Sequence, residues 1–348
     1  MPASGTEPPA DGVPPQRRRV TRRDVARLAG VSDAVVSYTL SGRAPVAPAT
    51  AQRVRDAIRE LGYVPDVSAQ ALRSGTSRAV ALIAPDAEDP VLANPFFVQF
   101  AGAVERAARS RGLVLFMATS PAGPAGLRDR ARDFTARNVD GLLVVPGGGG
   151  VDEAADLDAL GVPWVRLNTP EPIDGVFGVG VDLFEGARAA TAHLIDHGHR
   201  RVGFIGESAA EPRGAGWLSA CRDRGVEAAP LVVSGYGRED GYRAAVAMLA
   251  AADPPRALFA ASDLIALGVL RAAHERGIRV PDDLALVSFD GSWESAYAWP
   301  PLTTVRQPIE RMAESAIELL LDRGPTAEHR AYRGELVVRD SCGRHPEA

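Results

Sequence analysis

Arginines are concentrated near the N-terminus of this chain, where they could neutralise the phosphates of a nucleic acid. Residues 16–78 contain 12 Arg and 5 acidic residues, a net charge of +7, whereas residues 79–348 sum to −10. Arginine carries a permanent charge and a planar set of donors that suits phosphate groups. A basic segment on an acidic body is typical of a polyanion-binding module joined to a domain with another task, although charge alone also fits a solvated basic face.

The rest of the sequence offers little for catalysis or metal binding. The two cysteines, Cys221 and Cys342, are too few for a disulfide framework or a zinc-ligand pattern. No Gly-x-Ser-x-Gly pattern is present, and the glycines at 147–150 are not followed by the Lys-Ser/Thr of a phosphate loop. His197-Gly198-His199 is better interpreted as a helix C-cap than as half a metal site. We expect no enzyme activity, no cofactor and no metal.

The sequence also predicts where the protein is found. It contains no long uncharged apolar run that could cross a membrane, and no signal peptide precedes the first folded element. The first residues are rich in Pro, Ala and Gly, which predicts a disordered tail. We therefore expect a cytoplasmic protein with no membrane partner.

Three short helices are predicted in the basic segment. Thr21, with Asp24 three residues later, resembles a capping box, and Gly30 supplies the positive φ that ends the first helix. Ser32 caps a second helix, and a third runs from Pro48 to Leu61. Two short helices joined by a tight turn form a helix-turn-helix. The alternative is a three-helix bundle that binds no ligand.

From residue 79 onwards, short apolar runs alternate with amphipathic helical patterns. Continuous runs of Val, Ile, Leu and Ala between helices predict parallel sheets that are covered on both faces. Nine strands are too many for one comfortable sheet, so we expect two sheets facing a cleft, with ligands at the carboxyl ends of the strands. The predicted strands are Ala79–Ala84, Leu113–Ala118, Gly141–Val145, Trp164–Leu167, Gly178–Val181, Val202–Ile205, Leu231–Val233, Ala257–Ala260 and Leu284–Phe289.

Short motifs follow one another along nearly the whole chain after residue 19. Those of the basic segment are Val20-Thr21, Asp24-Val25-Ala26, Ala29-Gly30-Val31-Ser32, Leu40-Ser41-Gly42, Leu61-Gly62-Tyr63 and Leu72-Arg73. Those of the body are Asn94-Pro95-Phe96-Phe97, Val139-Asp140-Gly141, Ser262-Asp263, Phe289-Asp290 and Pro301-Leu302-Thr303-Thr304-Val305. Together they resemble the lac repressor/galactose repressor (LacI/GalR-type) family of bacterial transcriptional regulators.

The resemblance implies an N-terminal all-α helix-turn-helix DNA-binding domain plus a hinge helix. These precede an α/β core that is similar to periplasmic binding proteins and has two doubly wound parallel-sheet subdomains. The implied segments are a disordered tail at 1–19, the DNA-binding domain at 20–64, the hinge helix and linker at 65–78, an effector-binding and dimerisation core at 79–341, and a tail at 342–348. The chain is expected to cross between the subdomains near residues 174, 292 and 325.

In this family the second helix lies in the major groove, and the hinge helices of two protomers enter the minor groove. The arginines at 17–19, 22 and 23 would contact phosphates, and Leu72 would wedge between base pairs, with Ala69 in the contact between hinges. The residues implied to bind DNA are Thr21, Arg22, Arg23, Ser32, Asp33, Ala34, Ser37, Tyr38, Ala69 and Leu72.

Two residues on the base-reading face predict an unusual operator. Many relatives carry Arg at position 38, which can donate two hydrogen bonds to guanine, whereas Tyr38 cannot. Tyr38 could instead contact a thymine methyl or a phosphate. Asp33 can only accept, for instance from a cytosine amine. We therefore expect the operator to differ from the family's usual half-site.

The resemblance also implies an effector site in the cleft. The implied residues are Phe96, Phe97, Asn168, Trp217, Tyr236, Asp263 and Asp290. The alternatives are that a phenylalanine packs under its own helix, and that Asp263 is an N-cap or a buried partner of backbone amides. Trp217 stands where the family usually has an effector-binding Arg, for which the nearby Arg213 is a weaker candidate. A loop at 86–93, longer than is usual in the family, is expected to add acidic residues close to the cleft mouth or the dimer surface.

The resemblance therefore implies a transcriptional regulator that binds a double-stranded DNA operator. We expect a homodimer, with a tetramer as the alternative, acting as a repressor that a small, sugar-like effector releases from its operator. The competing hypothesis is a small-ligand-binding protein whose basic head does not read DNA sequence.

Overall fold

The structure is a computed structural model. It describes residues 20–42, 44–64, 76–86, 93–121, 124–137, 139–146 and 152–343. The chain divides into two units, residues 1–75 and residues 76–348. Several predictions lie outside the described residues: the two tails, the hinge helix with Ala69 and Leu72, most of the loop at 86–93, and the glycines at 147–150.

The first unit contains three helices, α1 (Arg22–Ala29), α2 (Asp33–Ser41) and α3 (Pro48–Leu61). The predicted capping box is confirmed, because Thr21 and Asp24 each accept a hydrogen bond from the other's backbone N–H. Gly30, like the residues that end α2 and α3, has the left-handed conformation that suits glycine. Local signals alone therefore defined these helices.

The core of the first unit is small and apolar. Val25, Val36 and Val54, one from each helix, are fully buried against one another. Leu28 of α1 is 45% exposed and lies beside Val20 in a shallow groove. Three helices of this length cannot surround every apolar position on α1, so this leucine stays at the surface.

The second unit contains two six-stranded sheets. All nine predicted strands are present, as β1 to β9, and the sequence missed three others, β10 to β12. The strands are β1 (Ala79–Pro85), β2 (Val114–Ser120), β3 (Gly141–Val144), β4 (Trp164–Leu167), β5 (Gly178–Val181), β6 (Arg201–Gly206), β7 (Glu227–Val233), β8 (Ala257–Ala260), β9 (Ala285–Asp290), β10 (Thr303–Arg306), β11 (His329–Tyr332) and β12 (Glu335–Val337).

The first sheet has the order β11-β5-β4-β3-β1-β2 and is parallel throughout. The second has the order β12-β10-β9-β8-β6-β7 and is parallel except for its edge strand β12, which runs antiparallel to β10. Both are doubly wound, as expected of parallel strands joined by helices.

Nine helices of the described residues belong to the second unit and flank these sheets. They are α4 (Pro95–Ser110), α5 (Pro124–Thr135), α6 (Asp152–Asp158), α7 (Leu183–Asp196), α8 (Pro212–Asp223), α9 (Arg238–Leu249), α10 (Asp263–Glu275), α11 (Trp293–Tyr297) and α12 (Ile309–Leu321). Within the described ranges, no helix combines the length and apolar character that a membrane span needs.

The chain passes between the two sheets later than the sequence suggested. The expected crossings were near 174, 292 and 325, whereas the strand order places them after Val181, after Arg306 and after Tyr332. The first comes late because β5 stays in the first sheet until Asp182 caps α7, which packs on the second sheet. The other two come late because β10 and β11 are short, partly polar strands that the hydrophobic pattern does not reveal.

Candidate functional site

Helix α2 of the first unit has one buried face and one exposed face. Val36 is fully buried, whereas Tyr38 is 44% exposed and Ser32 and Ala34 are also exposed. Ser32 caps the helix, since its Oγ accepts from the backbone N–H of Val35 at 3.3 Å. The exposed face thus carries side chains that the sequence predicted to lie nearest the bases.

Arg22 and Asp33 form a two-point ion pair that joins the starts of α1 and α2. Nε of Arg22 donates to Oδ1 of Asp33 at 2.6 Å, and Nη2 donates to Oδ2. The hydrogen bond to Asp33 raises the pKa of Arg22. Arg23 is exposed and has no ion pair with any residue that the structure describes. The sequence treated Arg22 and Asp33 as independent contacts, and the structure brings them together.

An arginine whose side chain is 12% exposed lies beyond the carboxyl end of the second sheet. Arg213 is the second residue of α8, which follows β6. Its Nε donates to Oε1 of Glu211 at 2.8 Å, Nη1 to the carbonyl of Ala261 at 2.9 Å, and Nη2 to the hydroxyl of Tyr236 at 2.8 Å. Burial alone would lower the pKa of Arg213, but the pKa is raised overall, and the adjacent carboxylate of Glu211 contributes to this. The guanidinium is therefore charged and firmly held.

Tyr236 connects this arginine to a second carboxylate. Its hydroxyl donates to Oε2 of Glu207 at 3.2 Å, and the Arg213 guanidinium lies 4.8 Å from the centre of its ring. Burial raises the pKa of Tyr236, so the phenol stays protonated. The structure thus joins Tyr236, a predicted effector residue, to Arg213, which the sequence rated as the weaker candidate.

Asp263 is a buried acceptor of four hydrogen bonds. Oδ1 accepts from the hydroxyls of Ser288 at 2.6 Å and Thr304 at 2.8 Å, and Oδ2 accepts from the backbone N–H and the hydroxyl of Ser292 at 2.6 and 2.8 Å. Helix α10 is capped by Ser262 rather than by Asp263. These bonds match the alternative that Asp263 is a buried hydrogen-bond partner, and its effector role stays a prediction. Asp263 joins β9, β10 and the start of α11.

Asp290 ends β9 in a backbone conformation that is unusual for a residue with a side chain, with φ at 106°. Its Oδ1 accepts from Nε2 of Gln307 at 3.0 Å. Burial, with the negative charge of Asp263, raises the pKa of Asp290 to about 8. Asp290 is therefore largely protonated at neutral pH and can meet a ligand as a neutral group.

We expect this proton to make folding stability depend on pH. Because the pKa of Asp290 is higher in the folded chain than its usual 3.8, the folded state holds the proton more tightly, and stability falls as the pH rises from about 4 to about 8. Asp290→Asn should remove the part of this dependence that Asp290 contributes. Between pH 5 and pH 7.5 the free energy of unfolding of the wild type should fall by on the order of 1–3 kcal/mol relative to the variant. Parallel pH profiles from urea denaturation would contradict the assignment.

The second unit has two halves, one built on each six-stranded sheet. A cavity of about 460 Å³ is lined by residues of both halves. Helix α4 contributes Phe96 and Gln99 to its lining. The segment around the second crossing contributes the others: Asp290, Gly291, Arg306, Gln307, Pro308, Ile309, Glu310, Arg311 and Glu335. Among the described residues, Nε2 of Gln99 and Oε1 of Gln307 are buried without a hydrogen-bond partner. One is a donor and the other an acceptor, and each comes from a different half.

The other predicted effector residues have different surroundings. Phe96 lines the cavity and is stacked on Phe100, with ring centres 6.2 Å apart, while Phe97 meets the Phe96 ring edge-on at 5.3 Å. Phe96 therefore packs in the core and also borders the cavity, and its contact with an effector stays a prediction. Asn168 follows β4 with a left-handed backbone, φ 55°, and does not line the cavity.

Trp217 is a core residue, and its prediction as an effector contact is wrong. It is 2% exposed, its ring is stacked on Phe204 at 5.4 Å, and its Nε1 donates to the carbonyl of Val202 at 3.0 Å. Trp217 lies on the face of α8 that packs against β6, so its side chain points into the sheet rather than toward the cavity.

Sequence reasoning missed Gln99 and Gln307 altogether. Gln99 lies three residues after Phe96, on the same side of a helix, and this spacing could have revealed it. Gln307 directly follows β10, one of the strands that the hydrophobic pattern did not reveal. His197 is the C-cap residue of α7, as predicted. Within the described ranges no three His, Cys, Asp or Glu side chains come together to hold a metal.

Two family descriptions match the chain. Residues 21–66 match "Bacterial regulatory proteins, lacI family", and residues 191–342 match "Periplasmic binding protein-like domain". The chain is 36% identical over 341 residues to the HTH-type transcriptional regulator CelR of Thermobifida fusca, covering 94% of this chain and 99% of that one. It is 31% identical over 332 residues to the HTH-type transcriptional repressor PurR of Mannheimia succiniciproducens, covering 92% and 98%.

Solved structures agree. A transcriptional regulator CelR–cellobiose complex has a TM-score of 0.69 at 30% identity, covering 93% of this chain and 100% of that one. The lac repressor dimer bound to operator and the anti-inducer ONPF has a TM-score of 0.81 at 23% identity, covering 94% and 100%, a likeness that concerns the fold. With the helix-turn-helix and the two-sheet core already described, these matches show that the chain belongs to the lacI family of bacterial regulatory proteins and is a DNA-binding transcriptional regulator.

Proposed function

We propose that this chain is a repressor that binds double-stranded operator DNA as a homodimer, and that a small sugar-like effector in the cavity between the two sheets controls its operator affinity. It acts by binding, without catalysing a reaction. The observation that carries the effector half is a pair of buried amide atoms without a partner among the described residues, Nε2 of Gln99 and Oε1 of Gln307, in two residues that line one cavity. A buried polar atom without a partner is costly, and a bound ligand supplies the missing partner.

The charges around the cavity favour a neutral ligand. Of the charged residues that line the cavity, Arg306 is paired with Glu335, Glu310 is paired with Arg106, and Asp290 holds a proton at neutral pH. The guanidinium of Arg311 lies 5.0 Å from the centre of the Tyr332 ring. A carboxylate or phosphate at Arg306 would have to break its pair with Glu335. Hydroxyl groups, which both donate and accept, match the amide donor of Gln99 and the amide acceptor of Gln307. Phe96 offers an apolar surface beside them.

The position of Gln307 couples ligand binding to the arrangement of the two sheets. Gln307 follows β10 in the second sheet and precedes α12, which packs against α4 and the first sheet. A ligand held by both Gln99 and Gln307 therefore favours one spacing of the two halves over others. In such a system the ligand shifts a population according to its different affinities for the two states.

The first sheet is in turn fastened to the start of the second unit. The carboxylate of Asp140, just before β3, accepts hydrogen bonds from the backbone and hydroxyl of Ser77 at 2.7 and 2.9 Å and from the backbone N–H of Arg78 at 2.7 Å. A movement of the first sheet therefore carries Ser77 and Arg78, at the start of the second unit. This is the route by which we propose that the effector alters operator binding.

Operator binding in the presence of candidate effectors tests the proposal. The purified full chain is expected to bind its selected operator, and one neutral mono- or disaccharide of a panel is expected to weaken that binding tenfold or more. Charged sugar acids and sugar phosphates of similar size serve as controls and should have little effect. A charged ligand that acts alone, or tightening by a sugar, would contradict the effector class or the sign of the response, respectively.

A further inference from the structure

We propose that Arg22 reads a guanine in each operator half-site and that Asp33 positions its guanidinium for this purpose. The inference rests on the proposed operator binding and adds to it a specificity-determining residue, together with the base that the residue recognises. Its basis is the two-point ion pair between the starts of α1 and α2.

The pair occupies one edge of the guanidinium and leaves another edge available. Nε and Nη2 of Arg22 donate to the two oxygens of Asp33. Nη1 has no hydrogen-bond partner among the residues that the structure describes, and Nη2 retains a second N–H. The Nη1–Nη2 edge can therefore donate two parallel hydrogen bonds, which is the geometry by which arginine recognises O6 and N7 of guanine.

The location of the pair also suits base contact. Asp33 is the first residue of α2, and the N-terminal residues of the recognition helix are those that reach base edges in helix-turn-helix complexes. The ion pair brings Arg22 from α1 to this same end of α2. The Arg22 and Asp33 side chains are 27% and 40% exposed, so a base can approach while the arginine stays fixed.

Arg22 is poorly suited to contact a phosphate. Phosphate binding gains from an uncompensated positive charge that releases counterions, and the carboxylate of Asp33 both cancels the charge of Arg22 and repels a phosphate. Arg23, the next residue on the same helix, has no such partner among the described residues. The two neighbouring arginines therefore differ in role, with Arg23 binding the backbone and Arg22 reading a base.

The test begins with selection of operators from a randomised DNA library by the wild-type chain. Affinities are then measured for the selected operator and for operators in which each guanine is replaced by adenine or by 7-deazaguanine, which lacks the N7 acceptor. For the wild type, one guanine per half-site is expected to matter most. Its replacement by adenine should lower operator affinity tenfold or more, and its replacement by 7-deazaguanine should lower it several-fold. Arg22→Ala and Arg22→Lys should bind all these operators within about threefold of one another.

The other variants separate positioning from charge. Asp33→Ala, which frees the Arg22 side chain, is expected to lose most of the discrimination at that guanine while it keeps or gains overall affinity, since a negative charge is removed. Arg23→Ala is the matched control. It should weaken binding to every operator and leave discrimination at the guanine unchanged. The slope of log affinity against log salt concentration should become shallower by about one.

Each result has a defined meaning. If the wild type selects no operator, the proposed function fails. If it selects one and Arg22→Ala and Arg22→Lys discriminate at every guanine as the wild type does, only the reading role of Arg22 fails. If Asp33→Ala discriminates as well as the wild type, Asp33 is not a positioning residue. Circular dichroism and thermal unfolding of each variant identify any that does not fold, and Arg22→Lys keeps the charge if Arg22→Ala is among them.

Discussion

Replacing Asp263 with alanine is expected to lower the free energy of unfolding by about 3 kcal/mol or more. The carboxylate is the common acceptor for Ser288, Ser292 and Thr304, so its removal leaves a backbone N–H and three hydroxyls buried without their partner. Each unsatisfied buried donor costs about 1–3 kcal/mol, and only the hydroxyls can rotate to find another acceptor. Urea denaturation, with the midpoint and the slope both reported, measures the change.

A matched control is available on the surface. Asp253 forms an ion pair with Arg201 but its side chain is 88% exposed, so Asp253→Ala should leave the midpoint of unfolding unchanged. An equally mild effect of Asp263→Ala would mean that the buried network is not a structural tie. Loss of effector response in Asp263→Ala with stability intact would support the role in ligand binding that the sequence predicted.

Replacing either cavity amide with leucine is expected to weaken effector binding about tenfold, because each substitution removes one hydrogen bond to a neutral ligand. Gln99→Leu and Gln307→Leu keep the size of the side chain and remove a polar atom that has no partner among the described residues. Gln99→Leu should therefore fold as well as the wild type or better, whereas Gln307→Leu also removes the hydrogen bond from Nε2 to Asp290 and should lose some stability. Isothermal titration with the effector identified from the panel measures the loss.

Operator affinity without effector is the companion measurement. It should be unchanged in both variants, while the effector concentration that releases DNA rises by the same factor as the dissociation constant. Glu310→Ala is the control at the cavity rim, since this side chain is well exposed and should matter less than twofold. If Gln99→Leu and Gln307→Leu bind effector as the wild type does, the cavity is not the effector site.

Local signals in the sequence defined the DNA-binding helices almost residue by residue. Caps such as Thr21 and Gly30 depend on neighbours within four residues, so spacing alone predicts them. The partnership of Arg22 with Asp33 could not be predicted in this way, because it depends on how two helices pack. The exposure of Leu28 follows from the same packing.

The cavity was harder to predict than the sheets. Long apolar runs revealed β1 to β9, but β10, β11 and β12 are short and partly polar, and Gln307 follows the first of them. Trp217 was misassigned because position along a family pattern does not say which face of α8 a side chain occupies. Arg213, one helical turn earlier, reaches Tyr236 instead. Side-chain direction at the carboxyl edge of a sheet requires the three-dimensional arrangement.

The two-residue connection between β11 and β12 has a consequence for biosynthesis. These last strands add an edge strand to each sheet, pairing with β5 and β10 respectively. Neither sheet can therefore be completed until the ribosome has made more than 330 residues. A polypeptide released near residue 325 would lack both strands and leave the edges of β5 and β10 unpaired, which favours aggregation. Premature termination should thus yield an aggregating fragment for proteases to remove, and no partly active regulator that competes for the operator.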